Sequence, residues 1–235
     1  MTTIKKFVIY GERCSGTNFL ENVIKTNFGL ELSNEYSWKH FFGFDNFDKP
    51  NEDILFIGII RNPIYWLNSF SKELHHIPKE NRSLNNFLVN EFYSVDENNK
   101  INLNDINYIT KRKYKNIFEL RKMKNFYLIN IMKHKVKNYI LVNYESLLFN
   151  YEYILDFIKD KFNLSNQFPI YKKIKNYKKS DKDLFHKQRN ILLPPRIVDF
   201  IWNNLDMEQE NRLGYFKGDN NEYLKSKDNI KFITS

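Results

Sequence analysis

Seven apolar residues in unbroken succession, ILFIGII at 54–60, leave this chain few ways to fold. The run is short for a helix, rich in β-branched residues, and shows no polar alternation, so it predicts a strand buried on both faces. Such strands belong to parallel sheets with helices on either side. Residues 4–10 (IKKFVIY) and 139–143 (YILVN) read as two more strands. Helical spacing follows each. Phe19, Leu20, Val23 and Ile24 mark a helix over 18–27, and Tyr65, Trp66, Leu67, Phe70 and Leu74 mark one that starts at Pro63. Residues 151–162 form the third, and 83–93 and 116–135 read as further amphipathic helices. Pro194 and Pro195 introduce another through Ile197, Phe200, Ile201 and Leu205. The alternation predicts an α/β fold with a central, mainly parallel sheet flanked by helices. No internal repeat or Pro/Gly-rich linker interrupts it. The expectation is a single domain over 1–235, with a basic loop or lid at 175–190 and a C-terminal tail at 217–235.

Composition narrows the partners. The 37 Lys and Arg against 28 Asp and Glu leave a net charge of +9, which fits an anionic ligand. Coding bias is the rival account of that balance: Ala is absent, and about one residue in seven is Asn. Placement says more than the total. Lys172, Lys173, Lys175, Lys178, Lys179, Lys182, Lys187 and Arg189 crowd a stretch with only Asp181 and Asp183 against them. A solvated loop and an electrostatic lid are both open readings. Cys14 is the only cysteine, so an internal disulfide and a Cys-based zinc site are excluded. His75 and His76 are adjacent and make a poor metal pair. No apolar run reaches the roughly 18 residues of a membrane span, and the first residues are too polar for a signal peptide. A soluble, cytoplasmic protein is expected.

GERCSGTN, Gly11 to Asn18, lies between the first strand and its helix. Gly11 and Gly16 have the spacing of a Walker A loop, in which backbone N–H groups and a helix N-terminus surround phosphate. Thr17 stands where the Walker lysine should be, and Arg61 ends the second apolar strand where an aspartate would help hold Mg²⁺. The loop therefore predicts an anion site without nucleotide-triphosphatase machinery. A cysteine phosphatase needs Arg six residues after its Cys, and that position is Leu20. Downstream, RNPIYWLNS places Ser69 eight residues after Arg61, about two helical turns into the next helix. An Arg at a strand end and a Ser on the following helix are suited to gripping one phosphate from two sides.

GERCSGTNFLENVI resembles the 5′-phosphosulfate loop of sulfotransferases that use 3′-phosphoadenosine 5′-phosphosulfate (PAPS), and RNPIYWLNS resembles their 3′-phosphate motif, R-[ND]-P-x₅-S. YESLL at 144–148 is similar to the family's tyrosine-glutamate segment, and NRLGY at 211–215 to the Leu-Gly-Tyr ending of many microbial members. The resemblance implies a P-loop-NTPase-like three-layer sandwich and transfer of a sulfuryl group from PAPS to a hydroxyl or amine, releasing PAP without a metal. Arg13, Cys14, Ser15, Gly16, Thr17 and Asn18 would then cradle the 5′-phosphate, and Arg61 and Ser69 would hold the 3′-phosphate. Lys187, Arg189 and Arg212 would close over the nucleotide. Trp38-Lys39-His40 precedes the second strand as the family's Lys-Thr-His segment does. It makes His40 the expected base, titrating near its ordinary pKa of about 6.5, with Lys39 and Arg13 stabilising developing charge. The family usually has Lys or Arg where this chain has Cys14. A glycan, a protein tyrosine and a small alcohol all remain open as acceptors, and no sequence-specific nucleic-acid partner is expected. The rival readings are a kinase-like phosphotransferase with a degenerate Walker loop and a non-enzymatic polyanion-binding protein.

Overall fold

The computed structural model describes residues 2–44, 47–48, 50–174 and 193–235. The expected lid at 175–190, with Lys187 and Arg189, lies outside the described residues.

In chain order the first half runs β1 (Lys6–Tyr10), α1 (Thr17–Phe28), β2 (Glu31–Leu32), β3 (Ile54–Ile60), α2 (Pro63–Phe70), α3 (Leu84–Val89) and α4 (Ile117–Phe126). There follow α5 (Met132–Lys135), β4 (Tyr139–Asn143), α6 (Tyr144–Phe149), α7 (Tyr151–Phe162), α8 (Pro195–Asn204), α9 (Met207–Arg212) and β5 (Ile233–Thr234). The strands form one sheet in the order β2-β1-β3-β4-β5. All its pairings are parallel except that of β5, which runs antiparallel to β4. No helix among the described residues is long and apolar enough to cross a membrane.

Strand pleating divides the interior into two cores. Val8, Tyr10, Phe56, Ile60, Tyr139 and Leu141 point to one face, where Trp66, Leu67 and Phe70 of α2, Leu120 of α4 and Trp202 of α8 cover them. Phe7, Ile9, Ile57, Ile59, Ile140 and Val142 point to the other, beneath Phe19, Leu20 and Val23 of α1 and Ile154, Leu155 and Ile158 of α7. Helices thus cover the sheet on both sides, a three-layer arrangement. All of β3 is buried, as its unbroken apolar run predicts. Its glycine has a packing reason, because a Cβ on Gly58 would stand 2.6 Å from the Tyr139 hydroxyl. That hydroxyl instead crosses the space and donates to the Leu128 carbonyl at 2.7 Å.

Several boundaries differ from the sequence pattern. The helix expected to reach Leu74 stops at Phe70, so His75 and His76 sit in turns. The helix expected over 83–93 ends at Val89, because Phe92 exchanges backbone hydrogen bonds with Tyr114 in an antiparallel bridge. The 116–135 helix contains a π-turn at Tyr127–Ile131. Residues 217–235 are no tail: Leu224 is buried, and β5 closes the sheet edge beside β4.

Candidate functional site

Parallel register brings three strand ends to one edge of the sheet. Tyr10 pairs with Gly58 and Ile60 with Asn143, so Gly11, Arg61 and Tyr144 leave their strands side by side. Ligands collect at this carboxyl edge in open parallel sheets.

The loop after β1 passes through two left-handed residues, Cys14 at φ 63° and Gly16 at φ 96°. A Cβ on Gly16 would lie 2.3 Å from the Tyr144 ring, so the position has no room for a side chain. Gly16 is the N-cap of α1; no side chain caps this helix, and its first turn holds no acidic residue. First-turn amides and the positive end of the helix dipole are thereby left to an anion.

Arg61 reaches across this loop. Its Nη1 donates to the Cys14 carbonyl at 2.9 Å and to Ser69 Oγ at 3.2 Å, and its guanidinium lies 4.7 Å from the Tyr144 ring centroid. Its Nε is buried without a hydrogen-bond partner among the described residues. Leaving such a donor unmade costs about 1–3 kcal/mol, so an incoming acceptor has something to gain.

Behind Arg61 stands a brace that holds its backbone. The Asn62 N–H donates to Glu145 Oε1 at 3.1 Å, its side-chain amide donates to Asn221 at 2.7 Å, and the Tyr215 hydroxyl donates to Glu145 Oε2 at 2.9 Å. Burial pushes the Glu145 carboxyl above its ordinary pKa, although Arg61 and these donors oppose the shift. Arg121 grips Glu210 at 2.5 and 2.7 Å and donates to the Arg61 carbonyl at 3.0 Å. Glu145 of YESLL and Tyr215 of NRLGY thus help fix the end of β3.

His40 faces the loop from the other side. Its Nδ1 lies 2.7 Å from the Gly11 carbonyl. A carbonyl only accepts, so Nδ1 carries the proton and Nε2 keeps a lone pair. Burial lowers the His40 pKa to about 3, helped by Arg13, Lys124 and Lys39 against the Gly11 hydrogen bond. Partial burial against the loop and three nearby cations displace the titration expected near 6.5. Lys39 donates to Asn18 Oδ1 at 2.5 Å and pairs with Glu21 at 3.4 Å. Its carbonyl accepts the Gly11 N–H at 3.0 Å.

Beneath the loop is a buried four-membered charge cluster that the sequence did not disclose. Arg13 contacts Asp105 at 2.8 Å and Glu12 at 3.2 Å, while Lys124 contacts Glu12 at 2.6 Å and Asp105 at 2.8 Å. Burial alone would raise the Asp105 pKa, but Lys124 and Arg13 hold it below the usual carboxylate range. Formal charges cancel within the cluster, so Arg13 offers the cleft less net charge than its type suggests.

A cleft of about 880 Å³ opens over these groups. Arg13, Cys14, Gly16, Thr17, Asn18, Lys39, His40, Arg61 and Ser69 all line it, with Trp38, Tyr65 and Tyr144. Ser15 is buried under the loop, its N–H donating to the Glu12 carbonyl. Arg212 is not brought to the cleft: it is exposed at the end of α9, where its guanidinium donates to Asn130 at 2.9 Å. Glu12, Asp105 and Lys124 escaped sequence reasoning because they are single polar residues with no shared spacing. Tyr144 was visible only through the YESLL segment. Comparison with protein-family models, curated proteins and solved structures gave no match for the chain.

Proposed function

We propose that the chain is a PAPS-dependent sulfotransferase. The observation that carries this reading is the Arg61–Ser69 pair, joined to the Cys14 carbonyl beside a helix N-terminus with no side-chain cap. That arrangement suits a nucleotide carrying phosphate at both its 3′ and 5′ positions. The buried, unpartnered Nε of Arg61 fits such a ligand, since a phosphate oxygen is a strong acceptor.

PAPS supplies an activated sulfuryl group with a phosphate leaving group. The amides of Gly16, Thr17 and Asn18 hold the 5′-phosphate, and Arg61 and Ser69 hold the 3′-phosphate. As the acceptor oxygen bonds to sulfur and the bond from sulfur to the phosphate oxygen breaks, the acceptor proton passes to His40 Nε2. Lys39, less buried than Arg13 and outside the four-charge cluster, is the cation we assign to the departing oxygen. Catalysis then comes mainly from positioning and from fixed charge where negative charge develops.

A thermal-shift panel tests the reading. PAP at about 100 times its Kd should stabilise the protein by ~2.7 kcal/mol, with the shift unchanged by EDTA. Stabilisation by ATP-Mg and none by PAP would replace the sulfotransferase with a phosphotransferase. Labelled PAPS with panels of glycans, tyrosine peptides and small alcohols then identifies the acceptor.

A further inference from the structure

We infer that Lys124 is the positioning residue for His40, clamping the histidine segment, the loop after β1 and the wall of the cleft into one unit. The assignment rests on reading His40 as the proton acceptor of the proposed transfer.

Lys124 is 2% exposed, and its ammonium meets three oxygens from three separate stretches of chain. It donates to the His40 carbonyl at 2.6 Å and to Asp105 Oδ1 at 2.8 Å, and it pairs with Glu12 Oε2 at 2.6 Å. Two of these contacts are hydrogen bonds and the third is an ion pair, Glu12 Oε2 having no hydrogen-bond partner among the described residues. Glu12 belongs to the loop and lies one residue from Gly11, whose carbonyl fixes the His40 ring. Asp105 is fully buried and also holds Arg13. Its segment carries Ser94, Val95, Asp96, Glu97 and Asn102, which line the far wall. Removing one charge from the cluster leaves the others buried and uncompensated.

Lys124 also shapes the electrostatics of His40. The charged groups around the ring are Arg13, Lys39 and Lys124, with Glu12 and Asp105 behind two of them. Burial and Arg13 lower the His40 pKa most, and Lys124 adds to the shift in the same direction.

Histidine-ring NMR on the unliganded full chain, paired with steady-state kinetics, tests the role. At pH 5 the ratio of protonated to neutral His40 should rise at least tenfold in Lys124→Met. Its kcat should fall at least tenfold, while PAPS KM stays within about threefold. Lys124→Arg, which keeps the charge, should leave the ring neutral and recover more kcat than Met does. Should Lys124→Met fail to fold, Asp105→Asn carries the test, with no rise in protonated His40 and a severalfold loss of kcat. Lower thermal stability in Lys124→Met with unmoved His40 titration and kcat overturns the proposal, as does unchanged kcat in Asp105→Asn. The ring titration needs no donor or acceptor. His40 responding as described in a protein that sulfates nothing would therefore uphold the clamp and sink the sulfotransferase reading.

Discussion

The half of the cleft formed by the loop after β1 and the exit of β3 is made from the ends of regular elements. The half facing it, residues 71–115, is mostly irregular chain around the short α3, held by the Phe92–Tyr114 and Val95–Ile101 bridges. Asx-type contacts shape its turns: Asp96 accepts from the Asn98 and Lys100 amides, and Asn107 from those of Ile109 and Thr110. Charge is biased the same way: Arg13, Lys39 and Arg61 outnumber Glu145 on the first side, and Glu73, Asp96 and Glu97 outnumber Lys72 on the second. One half is thus the proposed anion seat, anchored in the sheet, and the other is a wall whose shape depends on contacts distant in sequence. On the proposed function, donor recognition and acceptor recognition should respond separately to substitution.

The largest separation should come from His40→Ala. Turnover is expected to fall roughly 10²–10⁴-fold while the thermal shift with PAP stays as in the parent. Near-parental turnover would move the base to His75 or His76 on the facing wall and break the division. Next comes Arg61→Ala, which should weaken PAP by about 1.5–3 kcal/mol, with Ser69→Ala costing less. Adenosine 5′-phosphate should scarcely notice either change in isothermal titration. Equal losses for both nucleotides would place these side chains in folding or at another part of the ligand.

A pH series probes the seat without altering the nucleotide contacts. In the unliganded protein His40 is already neutral at pH 5, because its pKa is lowered to about 3. The rise of kcat/KM with pH should therefore lie far below 6.5. A limb near neutrality that disappears in His40→Gln would show the ring to be open to water. The same shift sets a sign for stability. A histidine whose folded pKa lies below its unfolded value stabilises the fold fully above about 6.5, and loses that contribution as pH falls toward its folded pKa. The slope is at most ~1.4 kcal/mol per pH unit. Denaturant melts at pH 7 and pH 5 should differ more for the parent than for His40→Gln. The smallest effect is expected at Trp38, which lines the cleft next to His40 and is 58% exposed. Trp38→Ala should raise acceptor KM severalfold and leave PAPS KM alone; a matching rise in PAPS KM would place Trp38 against the donor instead.

The same contrast explains what the sequence could disclose. ILFIGII, IKKFVIY and YILVN state their burial directly, and β3 and β4 begin and end where those patterns do. The loop and Arg61–Ser69 were legible because a strand end, a glycine and a two-turn offset are local quantities. Asp105 and Lys124 were not, since their roles exist only once residues 19 positions apart meet Glu12 and Arg13 across the fold. The 83–93 segment misled for a related reason: Phe92 sits at helical spacing, but its backbone is taken by Tyr114. His40's position was inferred by resemblance, and its lowered pKa depends on neighbours that no spacing could announce.

The two-residue strands at the borders of the sheet have a consequence for how the protein behaves in a crowded solution. β2 and β5 each pair over only two residues, so neither border presents a long, flat row of unpaired N–H and C=O groups. A second molecule finds little template there for adding a strand, which is how many β-containing proteins begin to aggregate. The fully apolar β3, the segment most prone to such pairing if it were exposed, lies between β1 and β4 in the interior of the sheet.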